Sequence, residues 1–280
     1  MSAVASVATP YRMVRLGERR LRMGRWGGVN ARPPNPLLIF NGIGINMEVM
    51  EPLVRAIAAE RPVLMFDMPG IGGSPAPMLP YAAWQVAHWA AELLDHEAIE
   101  TTDVLGISWG GAIAQQFALQ HGNLVRRLAL ATIGPGLPFL DARVNVLARV
   151  LDPGQFTDMM KGRVFTGLAE ADLRVLGRGF AERVTTPSTR GYIYQLGAIS
   201  GWFSTPALPL LDRPTLVIAG SDDQIVPPAN SRLLADLIPG SRLEIIDNAG
   251  HLLMFSHQQQ FLALLRDFLD GEDGGMKKVA

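Results

Sequence analysis

Short apolar runs alternate with longer amphipathic segments along most of this chain. Each run holds three to seven residues with several aliphatic side chains, and most are bounded by Gly, Pro, Asn or Asp, which is typical of buried strands. The segments between several of them carry apolar residues at helical spacing. The predicted buried strands cover residues 36–40, 62–67, 103–105, 126–132, 214–220 and 242–247.

This alternation predicts an α/β fold with a mostly parallel central sheet. Strands separated by helices return in the same direction, and a sheet buried on both faces needs helices on both sides. Helical periodicity is found at residues 47–60 and 81–97, after the run at 103–105 as far as His121, and again from His257 onward.

The N-terminal part has a different pattern of apolar and polar positions. Between residues 11 and 32, apolar positions alternate with polar ones around Val14, Leu16, Leu21 and Met23. Period-two alternation predicts an antiparallel hairpin that turns near residues 17–18, with its many arginines on the solvated face.

The strand–helix alternation stops after residue 134 and resumes near residue 206. The intervening residues 135–205, here called the cap segment, read as apolar helices without a central strand. We therefore predict an α/β core at 1–134 and 206–270, a helical lid inserted in it at 135–205, and a flexible tail at 271–280. The cap segment contributes four aromatic residues as candidate pocket walls, although core packing explains each one singly: Tyr192, Tyr194, Trp202 and Phe203.

Residues 106–110 read Gly-Ile-Ser-Trp-Gly and join an apolar strand to a helix of small residues. This Gly-x-Ser-x-Gly pattern predicts a nucleophile elbow, a sharp turn that exposes the hydroxyl of Ser108 above the sheet. The flanking glycines allow the neighbouring strand and helix to approach closely. The simpler alternative is an ordinary strand-to-helix turn.

A candidate acid and a candidate base follow in the order expected of such a serine. Asp223 comes directly after the strand at 214–220, and His251 comes after the strand at 242–247. The carboxyl ends of parallel strands share one edge of the sheet, so both can reach Ser108. His251 would then act as general base, with Asp223 fixing its tautomer. Asp222 competes with Asp223 for this role.

An acyl-transfer site also needs donors for a developing oxyanion. The strand at 36–40 ends in Asn-Gly-Ile-Gly, a turn that can aim the backbone N–H of Ile43 at the reacting carbonyl oxygen. The second predicted donor is the N–H of Trp109.

Composition narrows the function classes. A net charge of −1 predicts no bulk attraction to nucleic acid, and the lack of cysteine excludes a thiol nucleophile and disulfides. No metal-binding or dinucleotide-binding motif is found, so no metal or other cofactor is expected. Residues 1–10 do not resemble a signal peptide and no run predicts a transmembrane segment, so a cytoplasmic location is expected.

Several segments together resemble the α/β-hydrolase superfamily, and within it the intracellular medium-chain-length polyhydroxyalkanoate depolymerases. They include Asn-Gly-Ile-Gly at 41–44, Ser-Trp-Gly-Gly-Ala at 108–112 and Asn-Ala-Gly-His at 248–251. The resemblance implies hydrolysis of a polyester of 3-hydroxy fatty acids by Ser108, His251 and Asp223, with a storage-granule surface as a further partner. The likeness is weakest over about residues 137–188.

Two alternatives remain open at this stage. The first is an esterase, or a carbon–carbon bond hydrolase, acting on small soluble substrates. Enzymes of the latter kind usually carry tryptophan directly after the histidine, where this chain has Leu252. The second is a non-catalytic hydrolase-like binding protein, which the presence of all three candidate residues disfavours.

Overall fold

The computed structural model describes residues 10–27, 35–136, 148–161, 169–176 and 178–271. The strands, numbered in chain order, are β1 Tyr11–Leu16, β2 Arg19–Trp26, β3 Leu37–Phe40, β4 Val63–Phe66, β5 Thr102–Ile107, β6 Val125–Ala131, β7 Thr215–Gly220 and β8 Arg242–Ile246. The α-helices are α1 Met47–Ala58, α2 Ala83–His96, α3 Trp109–Gln120, α4 Pro153–Met160, α5 Glu170–Val175, α6 Arg178–Ala181, α7 Thr189–Ile199, α8 Pro228–Leu237, α9 Leu253–Ser256 and α10 Gln258–Asp270. The tail predicted beyond residue 271 lies outside the described residues.

The eight strands form one sheet in the order β1-β2-β4-β3-β5-β6-β7-β8. From β4 to β8 every neighbouring pair is parallel, and the fold is the predicted mostly parallel α/β sheet with helices. Strands β3, β4, β5 and β7 are buried at every position, and the sequences of β3 and β4 are accordingly apolar throughout. Because the strands from β4 to β8 in the sheet order run parallel, their carboxyl ends lie at the same end of the sheet.

The predicted N-terminal hairpin is confirmed. β1 and β2 pair antiparallel with Leu16 opposite Arg19, so the chain turns at residues 17–18. The arginines are not merely solvated: Arg12 and Arg25 both form ion pairs with Glu97, and Arg19 pairs with Glu92. The hairpin is thus tied to α2.

The cap segment enters after β6 and leaves before β7, and its described residues form helices α4 to α7. One contact with the core is so close, backbone against backbone, that it requires glycine at both positions. A Cβ on Gly191, in α7, would overlap the carbonyl oxygen of Gly70, and Gly70 itself has a φ of +86°. The same oxygen accepts a hydrogen bond of 2.8 Å from the Ser188 hydroxyl.

A second attachment of the cap segment is polar and buried. Asn46, which precedes α1, donates its side-chain amide to the Arg183 carbonyl at 2.9 Å and accepts from the Thr185 amide at 3.0 Å. Further along, the Ser204 hydroxyl lies 2.6 Å from the side-chain oxygen of Gln115 in α3. These contacts attach the cap segment to the residues that follow β3 and β4 and to α3.

No helix among the described residues has both the length and the apolar character needed to cross a bilayer.

Candidate active site

Ser108 occupies a strained turn between β5 and α3. Its φ of 52° and ψ of −126° are rare for a residue with a side chain. The turn is possible because its neighbours are small: a Cβ on Gly110 would overlap the Phe40 carbonyl, and one on Gly106 would overlap Ala114. The conformation matches the elbow that the sequence predicts.

The structure brings the three predicted polar residues together. His251 Nε2 lies 2.9 Å from Ser108 Oγ, and His251 Nδ1 lies 2.8 Å from Asp223 Oδ2. A hydroxyl bound to an imidazole that is bound in turn to a buried carboxylate is the arrangement that activates serine for nucleophilic attack.

The structure also distinguishes the two competing carboxylates. Asp223 is buried, and its Oδ1 accepts hydrogen bonds of 2.9 Å from the backbone amides of Ile225 and Val226. Those bonds leave Oδ2 for His251. Asp222 is exposed and accepts a hydrogen bond from Ser221 instead.

The surroundings of His251 raise its pKa above that of a free histidine. Burial lowers the pKa of His251, but the charge of Asp223, its hydrogen bond and the charge of Asp172 outweigh that effect and raise the pKa. An imidazolium formed during proton transfer from Ser108 is stabilised by the same groups.

This shift predicts the pH dependence of ester hydrolysis. The base must be neutral in the free enzyme, and its pKa is raised, so kcat/KM should fall with decreasing pH around a midpoint above the ordinary histidine value of ~6.5. Initial rates with p-nitrophenyl octanoate, measured between pH 5 and 9 and corrected for the ionisation of p-nitrophenol, check this. A profile that is flat between pH 5 and 8 would argue against His251 as base.

Ile43 and Trp109, the predicted oxyanion donors, both lie close to Ser108. Both line the same cavity as Ser108. Among the described residues, neither backbone amide has a hydrogen-bond acceptor, so both remain available to a ligand. Removal of one such donor typically raises a barrier by about 3 kcal/mol.

Gln195, in α7, connects these two donor segments. Its side-chain oxygen accepts a hydrogen bond of 2.8 Å from the amide of Gly44, the residue after Ile43. Its backbone carbonyl accepts one of 2.8 Å from the indole N–H of Trp109. A single turn of the cap segment therefore fixes both sides of the predicted oxyanion hole, a role that the sequence analysis missed.

Two cavities meet at Ser108. The larger, of about 440 Å³, is almost entirely apolar and includes Trp109, Leu196, Ile199 and Trp202 in its wall. The smaller, of about 60 Å³, is lined by His251, Asn41 and a group of methionine and phenylalanine side chains. An apolar chain fits the larger cavity and a much smaller group fits the other.

The four aromatic residues predicted as pocket walls lie in different places. Trp202 lines the larger cavity, with its indole N–H 3.1 Å from the side-chain oxygen of Gln116. Tyr192 is fully buried, with its hydroxyl 2.6 Å from the Val150 carbonyl. Tyr194 packs edge-on against Tyr81.

Phe203 has an exposed side chain, and it is found in neither cavity wall among the described residues. The structure thus brings one of the four predicted aromatic side chains, Trp202, to the larger cavity beside Ser108.

The family model described as alpha/beta hydrolase fold matches residues 35–258. A poly(3-hydroxyalkanoate) depolymerase of Ectopseudomonas oleovorans is 36% identical over 242 residues, 85% of each chain. A pimeloyl-[acyl-carrier protein] methyl ester esterase of Aeromonas hydrophila is 29% identical, over 83% of this chain and 94% of its own. Among solved structures, a hydrolase from Pseudomonas aeruginosa PA01 superimposes with a TM-score of 0.79 at 25% identity, over 94% of this chain and 99% of its own.

Proposed function

Since the chain belongs to the α/β-hydrolase fold family, we propose that this hydrolase cleaves hydrophobic carboxylic esters through Ser108, His251 and Asp223, and that its substrate is a poly(3-hydroxyalkanoate). The observation that supports the serine mechanism most strongly is the pair of hydrogen bonds, 2.9 Å and 2.8 Å, that link the three side chains.

The reaction proceeds in two halves. Ser108 Oγ attacks the ester carbonyl as His251 Nε2 takes its proton, and the amides of Ile43 and Trp109 stabilise the oxyanion. The C–O bond to the alcohol breaks, the alcohol oxygen takes the proton from His251, and an acyl-serine remains. Water, deprotonated by His251, then attacks the acyl-serine. The bond between the acyl carbon and Ser108 Oγ breaks, the serine oxygen takes the proton back from His251, and the acid is released.

The cavities suggest how the ester lies in the site. The leaving oxygen must take its proton from His251, which lines only the smaller cavity, so the alcohol part points there. The acyl part then occupies the larger cavity, whose wall contains both predicted oxyanion donors. A volume of about 440 Å³ accommodates an acyl unit with a medium-length alkyl side chain.

The entrance to the larger cavity supports contact with an apolar polymer surface. Leu151 and Ile193 line that cavity and yet are 61% and 54% exposed. Met78, 91% exposed, adjoins the cap segment, since its carbonyl accepts a hydrogen bond of 3.1 Å from the Tyr194 hydroxyl. Exposed apolar side chains around a pocket suit an apolar, insoluble substrate. The proposed location is therefore the surface of a cytoplasmic polyester granule.

A second candidate is an esterase for small soluble esters. The narrow cavity beside His251 favours it, because about 60 Å³ suits a short alcohol such as methanol better than a bulky polymer unit. The similarity to a methyl ester esterase is in keeping with this candidate.

Turnover of three substrate types distinguishes the two functions. We expect acid release from polyhydroxyalkanoate with medium-length side chains to exceed that from polyhydroxybutyrate, and p-nitrophenyl octanoate to be cleaved with a higher kcat/KM than the acetate. The apolar 440 Å³ cavity provides the physical reason. Hydrolysis of methyl and p-nitrophenyl esters without any release from either polymer would favour the small-ester function. A clear preference for acetate would contradict the assignment of the larger cavity to the acyl chain.

A further inference from the structure

A second buried carboxylate lies beside the catalytic histidine, outside the three-residue site. Asp172 is in α5 of the cap segment, and none of its surface is exposed. Helix α5 is short and its other acid, Glu170, pairs with Arg174 in solvent. Asp172 is therefore the acid of this helix that faces the protein interior.

Contacts of Asp172 hold the chain on both sides of His251. A Cβ on Gly250 would overlap Oδ2 of Asp172, so the carboxylate packs directly on the backbone that precedes the histidine. On the other side, the hydroxyl of Ser256, at the end of α9, donates to Oδ1 at 3.2 Å. The loop that carries His251 is thus held between these two contacts.

Among the described residues, His251, Asp223 and Ser256 are the titratable or polar side chains that act on Asp172. Burial raises the pKa of its carboxyl; the Leu252 amide, the charge of His251 and the Ser256 hydroxyl oppose this, while the charge of Asp223 adds to it. The Ser256 hydroxyl also lies 3.1 Å from Nδ1 of His257.

Oδ2 of Asp172 has no hydrogen-bond partner among the described residues. Burying a carboxylate that lacks part of its hydrogen bonds lowers the free energy of unfolding. A neutral side chain of the same size would fill this space with a smaller loss of stability. The carboxylate lies beside a histidine that becomes positively charged, and its negative charge stabilises that positive charge.

We propose that Asp172 is a positioning residue for His251: from the cap segment it fixes the histidine loop through Gly250 and Ser256, and its charge stabilises the imidazolium that forms during proton transfer. This rests on the proposed function only in taking His251 as the base. The cap segment then contributes to proton transfer as well as to the substrate cavity.

A titration of His251 tests the electrostatic part without any substrate. The ring C–H resonance of His251, assigned by comparison with His251→Gln, is followed by NMR between pH 4 and 9. Asp172→Asn keeps the size and the acceptor for Ser256 but removes the charge, so the pKa of His251 should fall. Glu170→Gln, an exposed change in the same helix, should leave it unchanged. Since no ester is present, this outcome does not depend on which substrate the enzyme cleaves.

Kinetics test the catalytic part. In Asp172→Asn the acid limb of kcat/KM should move to lower pH by the same amount as the His251 titration, and kcat at its plateau should drop several-fold with KM little changed. Ser256→Ala should shift the titration in the same direction by less, and it supplies the test should Asp172→Asn fail to fold. A His251 titration and a pH profile that superimpose on those of the wild type in either folded variant would overturn the proposal.

Discussion

Replacing Ser108 with alanine is expected to reduce hydrolysis of p-nitrophenyl octanoate by at least about 10⁴-fold, because no other group can form the acyl intermediate. The fold should survive. Among the described residues, the Ser108 side chain makes one hydrogen bond, to His251, and alanine tolerates the φ of 52° no worse than serine does. Circular dichroism and the unfolding temperature check that the variant is folded.

Ser200→Ala is the matched control for this change. Ser200 lines the same large cavity but has no contact with His251 among the described residues, so its loss should leave activity of the same order as the wild type. Near-normal turnover by Ser108→Ala, or equal losses in the two variants, would refute the assigned nucleophile.

Replacing Asp223 with asparagine is expected to lower kcat by about 10⁴-fold, close to the effect of losing the serine. The amide oxygen of asparagine can still accept from Ile225 and Val226, so its NH₂ group would face Nδ1 of His251. That NH₂ group donates where the carboxylate accepted, and the imidazole must then carry its proton on Nε2. In that tautomer it cannot take the proton of Ser108.

Asp222→Asn is the neighbouring control, since its exposed carboxylate binds Ser221 instead of the histidine. We expect close to full activity from it over the whole pH range. If Asp222→Asn were the damaging change and Asp223→Asn the mild one, the assignment of the acid would have to be reversed.

The strands of the core and the three residues of the candidate site could be predicted from the sequence because each is marked by a short stretch of consecutive residues. Each buried strand is a short apolar run, and the elbow is five consecutive residues whose glycines meet steric needs visible in the structure. Ser108, Asp223 and His251 each follow a strand of the parallel part of the sheet. Strand direction alone therefore predicts that they converge.

What sequence missed depends on packing between distant segments. Asp172 looks like an ordinary solvated acid in the first turn of a short helix, and only its contact with Gly250 shows otherwise. Gln195 and Tyr192 lie three residues apart in α7, and the docking of that helix turns both toward Gly44. No pattern within the helix carries that information.

Helix α8 was missed for a different reason. It begins at Pro228, directly after another proline, and its buried face includes the polar residues Asn230 and Ser231. The usual apolar stripe is therefore weak, although proline at the start of a helix is a favourable position.

Trapping of the acyl-enzyme shows whether Ser108 is the nucleophile. The protein is mixed with p-nitrophenyl octanoate, quenched in acid within milliseconds, and examined by mass spectrometry of the intact chain and its peptides. We expect the added mass of one octanoyl group on the peptide that contains Ser108, and no such mass in Ser108→Ala. An octanoyl group carried by a different side chain in the wild type, or full turnover with no acyl-serine at any time point, would contradict this assignment.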